Sequence, residues 1–209
     1  MFCLAAAFIM MSLSIALGTS STLAQQRLPT ISPDQYTADQ KKAADEFLAA
    51  RKEPVFGPFE PMMHSPEIMN LASAMGQYLR YHSAIGNTLS ELVILLTARE
   101  WSQDYEWNYH YPIALKAGIS KDIADAIADG RRPAGMSADE EIVYDFIMEL
   151  QKNKHVSDLT FNRAEQRFGK KGVVDMTGIS GYYTFLAMQL NMARYEFPGT
   201  SPRLSRFPK

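Results

Sequence analysis

Residues Glu91 to Pro112 read ELVILLTAREWSQDYEWNYHYP. The run Leu92, Val93, Ile94, Leu95, Leu96 is apolar on every side of a helix, which suits a buried element and not a surface one. Past it the composition turns polar and aromatic, with Glu106 and His110 four residues apart and so on one helical face, close enough to touch. A carboxylate and an imidazole are thus delivered to the end of a buried segment, where burial shifts pKa values and acid–base chemistry becomes possible.

Outward from this stretch the signals are helical. Thr37-Ala-Asp-Gln40 is a capping box that opens a helix to about Arg51, and Ser137-Ala-Asp-Glu140 is a second, leading into a face of Ile142, Val143, Phe146, Ile147 and Leu150. Between Lys52 and Pro61 three prolines and a glycine predict an irregular segment able to lie over the core. Pro66 at a first helical position starts a helix to about His82, whose Ile68, Leu71, Met75, Tyr78 and Leu79 recur at helical spacing and are expected to face inward. Gly86-Asn87 breaks it, and the motif helix is expected from about Leu89 towards Gln103. The next runs from near Asp104 to a left-handed cap at Gly118. Ser120 and Ser157 open further helices, Gly169 ends the latter, and residues 171–195 form the last long one. No alternation of period two competes, so the fold is read as all-α, a compact helical bundle.

One soluble domain fits a chain of 209 residues, 46% hydrophobic. A formal charge of −2, with lysines and arginines scattered, gives no case for a nucleic-acid partner. Residues 1–24 read as a signal peptide: Phe2 to Leu17 is apolar apart from two serines, and Thr22 and Ala24 are the small residues before a cut. The expected mature protein is periplasmic or secreted, starts near Gln25, and has no membrane association once cut. A retained anchor is the alternative. Cys3, the sole cysteine, lies in the removed segment, so the mature chain has no thiol for peroxidase or disulfide chemistry.

The spacing of Glu91, Gln103, Glu106 and His110 resembles the carboxymuconolactone decarboxylase and alkylhydroperoxidase D superfamily. In that pattern a glutamate precedes a CxxC pair, and a histidine stands four residues after the second cysteine. Gln103 occupies the first cysteine position and Glu106 the second. LSELVILLTAREW and YPIALKAGIS look like the family's core helices and the turn after them. KKGVVDMTGISGYYTFLAMQLN looks like the C-terminal segment of larger, cysteine-free members. The resemblance spans Pro61 to Pro198, leaving residues 25–60 as linker and N-terminal helix and 199–209 as a tail expected to be poorly ordered without a partner.

The resemblance implies an alkylhydroperoxidase D-like fold, assembly into a homo-oligomer (trimer or hexamer), and a cofactor-free lyase acting on a small lactone or unsaturated organic acid. His110 would move a proton at carbon, Glu106 would orient it, and Glu91 would be the second acid or base. Tyr105, Trp107, Gln103 and Tyr182 would meet the substrate. No metal is expected, because neither HExxH nor paired-histidine spacing is present. An electron sink within the substrate would make a cofactor unnecessary. Duller readings stand beside these: a core histidine bonded to Glu106, and a Glu91 favoured by the helix dipole after Ser90. Asp175, Tyr182, Tyr183 and Asn191 form a second polar group, with Gly178 and Gly181 allowing close approach. Met62, Met63, Met69, Met75, Met188 and Met192 are expected to fill the core. The alternatives to a lyase are a non-enzymatic binding or assembly protein, and a peroxide-reducing enzyme that the missing thiol disfavours.

Overall fold

A computed structural model describes residues 26–195 and 204–206. The proposed signal peptide lies outside the described residues. Among the described residues the chain is all-helical. In order come α1 (Ala38–Arg51), α2 (Phe59–Met62), α3 (Pro66–Tyr81), α4 (Gly86–Glu100), α5 (Asp104–Ala117), α6 (Lys121–Ala128), α7 (Ala138–Asn153) and α8 (Asp158–Ala193).

Helix α4 is the axis of the bundle. It packs against α5, α7 and α8 at once, which is why residues 92–98 are apolar or small all round and every one of them is buried. It begins three residues before the expected Leu89, at Gly86, whose φ of 78° turns the chain sharply after α3. Residues 101–103 reverse the chain, with Ser102 at a φ of 46°, so α5 runs back along α4. Gly118 caps α5 in the left-handed conformation, as its sequence position predicts.

Both capping boxes form: the Thr37 and Ser137 hydroxyls accept from the backbone N–H three residues on, and the Gln40 and Glu140 side chains reach back. Ser120 and Ser157 cap α6 and α8. Gly169 (φ 68°, ψ 173°) interrupts α8, separating its two halves where the sequence placed the end of one helix and the start of another. The irregular segment 53–58 and α2 lie over the bundle, with Phe47, Phe56 and Phe59 edge to face at 4.9 to 6.0 Å.

Helix α3 corrects the sequence reading. Ile68, Leu71, Met75 and Tyr78 are exposed, and only Leu79 of the expected stripe is buried. The inward face is Met69, Ala72, Ser73 and Gly76, a strip of mostly small residues that lets α1 and α8 approach closely. Close approach outweighs hydrophobicity in setting the rotation of this helix. At Gly76 an added methyl would overlap the Tyr182 hydroxyl, and at Gly178 it would press on Leu79, whereas Gly181 faces open space. Met62, Met63 and Met69 are core residues; Met75, Met188 and Met192 are exposed instead. The tail is also partly held: Leu204 is buried, its N–H donates to Asp104 Oδ1 at 2.8 Å, and Arg206 pairs with Asp104 Oδ2 at 2.6 Å.

Candidate functional site

The α4–α5 hairpin places the side chains of Glu91 and His110, nineteen positions apart, in direct contact. Glu91 Oε2 lies 2.7 Å from His110 Nδ1. A carboxylate can only accept, so this bond puts the imidazole proton on Nδ1 and leaves Nε2 as the free lone pair. One turn earlier on α5, Glu106 Oε2 lies 3.7 Å from that Nε2, too far for a hydrogen bond but in position for a short proton movement. All three side chains are essentially without solvent exposure.

Burial sets their charge states. Glu106 is pushed up to about 8, first by desolvation and further by the Glu91 charge, with Arg80 opposing. His110 moves down, again chiefly through desolvation, with its bond to Glu91 pulling the other way and Arg80 adding to the fall. Near neutral pH the array therefore holds a protonated carboxylic acid beside a neutral imidazole. These are the forms needed to give a proton and to take one.

Glu106 and His110 line a small cavity of about 20 Å³, room for one water molecule. Tyr105, Tyr109, Tyr182 and Tyr183 form its aromatic wall, Arg80 and Arg51 supply cations, and Phe56, Pro58 and Phe59 from the overlying segment roof it. The His110 ring meets Tyr183 edge-on at 5.0 Å and Tyr109 at 5.2 Å. Burial raises the hydroxyl pKa of Tyr105, Tyr182 and Tyr183, so these phenols stay neutral donors. Two larger depressions, about 760 Å³ between α1 and α3 and about 500 Å³ beside α4, α6 and α7, contain none of this array. The perturbed acid and base therefore sit apart from the larger depressions.

The structure places the expected residues unequally. Glu91 bonds His110 from behind and Glu106 lines the cavity, whereas the sequence reading gave the orienting contact to Glu106, the glutamate on the same helix. Tyr105 and Tyr182 line the cavity. Trp107, one residue round the helix from Glu106, turns away from it and packs on Tyr111 at 5.8 Å. Gln103 caps α5 by accepting from Tyr105 N–H at 2.7 Å and donates to Asn191 at 2.9 Å, outside the cavity. Asp175 accepts from Ala84 N–H and from Lys171, fastening α8 to the α3–α4 connection.

Arg80, Arg51 and Tyr109 are the polar cavity residues that the sequence did not reveal. Tyr109 lay within the quoted stretch, but Arg80 reads as an ordinary basic residue in a last helical turn. Its one signal is its position on the small-residue side of α3, four residues after Gly76.

No protein-family model matches the chain, and a search of curated proteins finds no match. Among solved structures it is similar to a crystal structure of a protein of unknown function from Agrobacterium tumefaciens, described as a candidate antioxidant defence protein AhpD. The TM-score is 0.60 at 15% identity, over 66% of this chain and 96% of the other. At that identity the likeness defines the architecture: this is an all-α protein of AhpD-like fold.

Proposed function

We propose that this chain is an exported, cofactor-free lyase, similar to carboxymuconolactone decarboxylases, that acts by proton transfer on a small lactone or unsaturated organic acid. The observation that carries the reading is the buried line Glu91, His110, Glu106, ending in a protonated acid at an aromatic-walled cavity. In the reaction, the bond to a substrate carboxylate breaks and carbon dioxide leaves. The electron pair passes into the substrate's conjugated carbonyl, and Glu106 delivers a proton to carbon. His110 then restores the proton on Glu106 from solvent, passing through an imidazolium that the Glu91 charge stabilises. Each such transfer contributes on the order of a hundredfold to ten-thousandfold.

A second reading, a non-enzymatic binding or assembly protein, draws on the small volume of the cavity. Peroxide reduction is disfavoured, because the described residues contain no cysteine, and Gln103 and Glu106 stand at the positions where the AhpD pattern has its pair. The same reading makes the protein a homo-oligomer, trimer or hexamer. The exposed Ile68, Leu71 and Met75 on α3 support this as an apolar face of the kind that interfaces cover.

The test is carbon dioxide release from carboxylated lactones and unsaturated diacids by the chain from Gln25 onward. Turnover by wild type that disappears in His110→Ala supports the lyase. Ligand binding without turnover, equal in both proteins, replaces it with the binding protein.

A further inference from the structure

Arg80 is a part-buried cation at this cavity whose hydrogen-bonding capacity is left open. Its side chain is 15% exposed, and its nearest carboxylate, Glu91 Oε1, lies 3.9 Å from Nη2, beyond hydrogen-bond range. Its Nε is buried with no hydrogen-bond partner. Both guanidinium groups lie over a ring, Arg80 over Tyr81 at 5.4 Å and Arg51 over Phe59 at 4.5 Å, but Arg51 has its donors committed as well: Nε donates to Ser73 Oγ at 2.7 Å and Nη2 to Ser73 O at 3.1 Å. The second open group is Glu106 Oε1, also buried without a partner and lining the same space. Unmet donors and acceptors inside a protein are costly, so a fold that sets both residues on one cavity favours a ligand that satisfies them together.

We infer that Arg80 anchors the ligand through a carboxylate that is retained in the reaction, with the reacting end of the molecule at Glu106. The inference rests on the reading of this cavity as a substrate site and narrows it to anionic substrates with a second, reactive group. A guanidinium presents parallel N–H donors that match a carboxylate and do not match an ester equally well. Glu91 cannot supply that match, because its Oε2 is taken by His110. The ligand also needs more room than the cavity now gives, since 20 Å³ admits nothing larger than water. Phe56 and Phe59 lie on the cavity's roof, in a segment joined to the bundle through ring contacts.

The experiment is calorimetric binding of crotonate and cis,cis-muconate, each paired with its methyl ester, to wild type, Arg80→Gln and Arg80→Lys, with folding of each checked by circular dichroism. Wild type is expected to bind each acid at least tenfold more tightly than its ester. Arg80→Gln should lose that preference, and Arg80→Lys should keep part of it. The inference is overturned if ester and acid bind wild type alike, if neither binds, or if Arg80→Gln keeps the preference; if Arg80→Gln does not fold, an Arg80→Lys preference equal to wild type overturns it. Carbon dioxide release is recorded separately. An acid preference that depends on Arg80 without turnover removes the lyase and leaves the anchor; turnover without that dependence does the reverse.

Discussion

Of the buried polar clusters among the described residues, two differ in how completely they are satisfied. Near the C-terminal end of α4, Gln151 donates to Ser180 Oγ at 2.8 Å and reaches the Thr97 and Thr184 hydroxyls at 3.5 Å, while Thr97 donates to the Val93 carbonyl at 2.9 Å. Every member is neutral. The other cluster, Glu91, His110, Glu106 and Arg80, is built of ionisable groups and leaves Glu106 Oε1 and Arg80 Nε without partners. The first ties α4, α7 and α8 together. The second forgoes that economy, and a buried polar group is informative about function in proportion to what it leaves unmet.

The largest difference between the clusters should lie in turnover. His110→Ala is expected to lower carbon dioxide release by about a hundredfold or more, in line with the loss of a general acid–base group, whereas Gln151→Leu should leave it nearly unchanged. Steady-state rates on the two variants decide the matter, and equal losses would erase the distinction.

Glu106 should set the pH dependence. Its folded pKa of about 8 lies above the ordinary 4.5, so the folded chain holds this proton more tightly than the unfolded one. The resulting stability is fully present below about pH 4.5 and is lost as pH rises through about 8; catalysis by the acid form falls over that upper limb as well. Glu106→Gln is expected to flatten the stability profile between these limits and to abolish turnover, as read by denaturant melts and rates across pH.

Stability should change in opposite directions in the two clusters. Gln151→Leu removes the buried bond to Ser180 and is expected to cost about 1–3 kcal/mol. Glu106→Leu removes a desolvated acid with an unmet oxygen and is expected to be neutral or stabilising by a comparable amount of roughly 1–3 kcal/mol. Paired chemical denaturation measures both. Destabilisation by Glu106→Leu of the same size as Gln151→Leu would mean that both clusters are structural.

The smallest effect on chemistry belongs to the α3 surface. Leu71→Glu places a charge on an exposed apolar face and is expected to reduce the oligomer mass by native mass spectrometry, with turnover per chain little changed. An unaltered mass would move the interface elsewhere.

The quoted stretch carried much of this in plain sequence. The all-round apolarity of residues 92–96 identified the central helix, and the four-residue step from Glu106 to His110 put both on the correct face. The contact between His110 and Glu91 required the sharp reversal at residues 101–103, which fixes how α5 lies on α4 and which periodicity cannot supply. The inward face of α3 was misread because its large apolar residues outweigh Ala72, Ser73 and Gly76 in any hydrophobic pattern, although the small residues determine which face can pack. Arg80 was hidden for the same reason, as its meaning depends on the rotation of that helix.

The protonation state of Glu106 is the most direct test of the account. Carbon-13 NMR of glutamate carboxyls, followed from pH 4 to 10 in wild type and in Glu106→Gln, assigns its titration. A carboxyl with a midpoint near 8, absent from the variant, is the expected result. A Glu106 signal fully ionised by about pH 6, as for an ordinary exposed carboxylate, would contradict it.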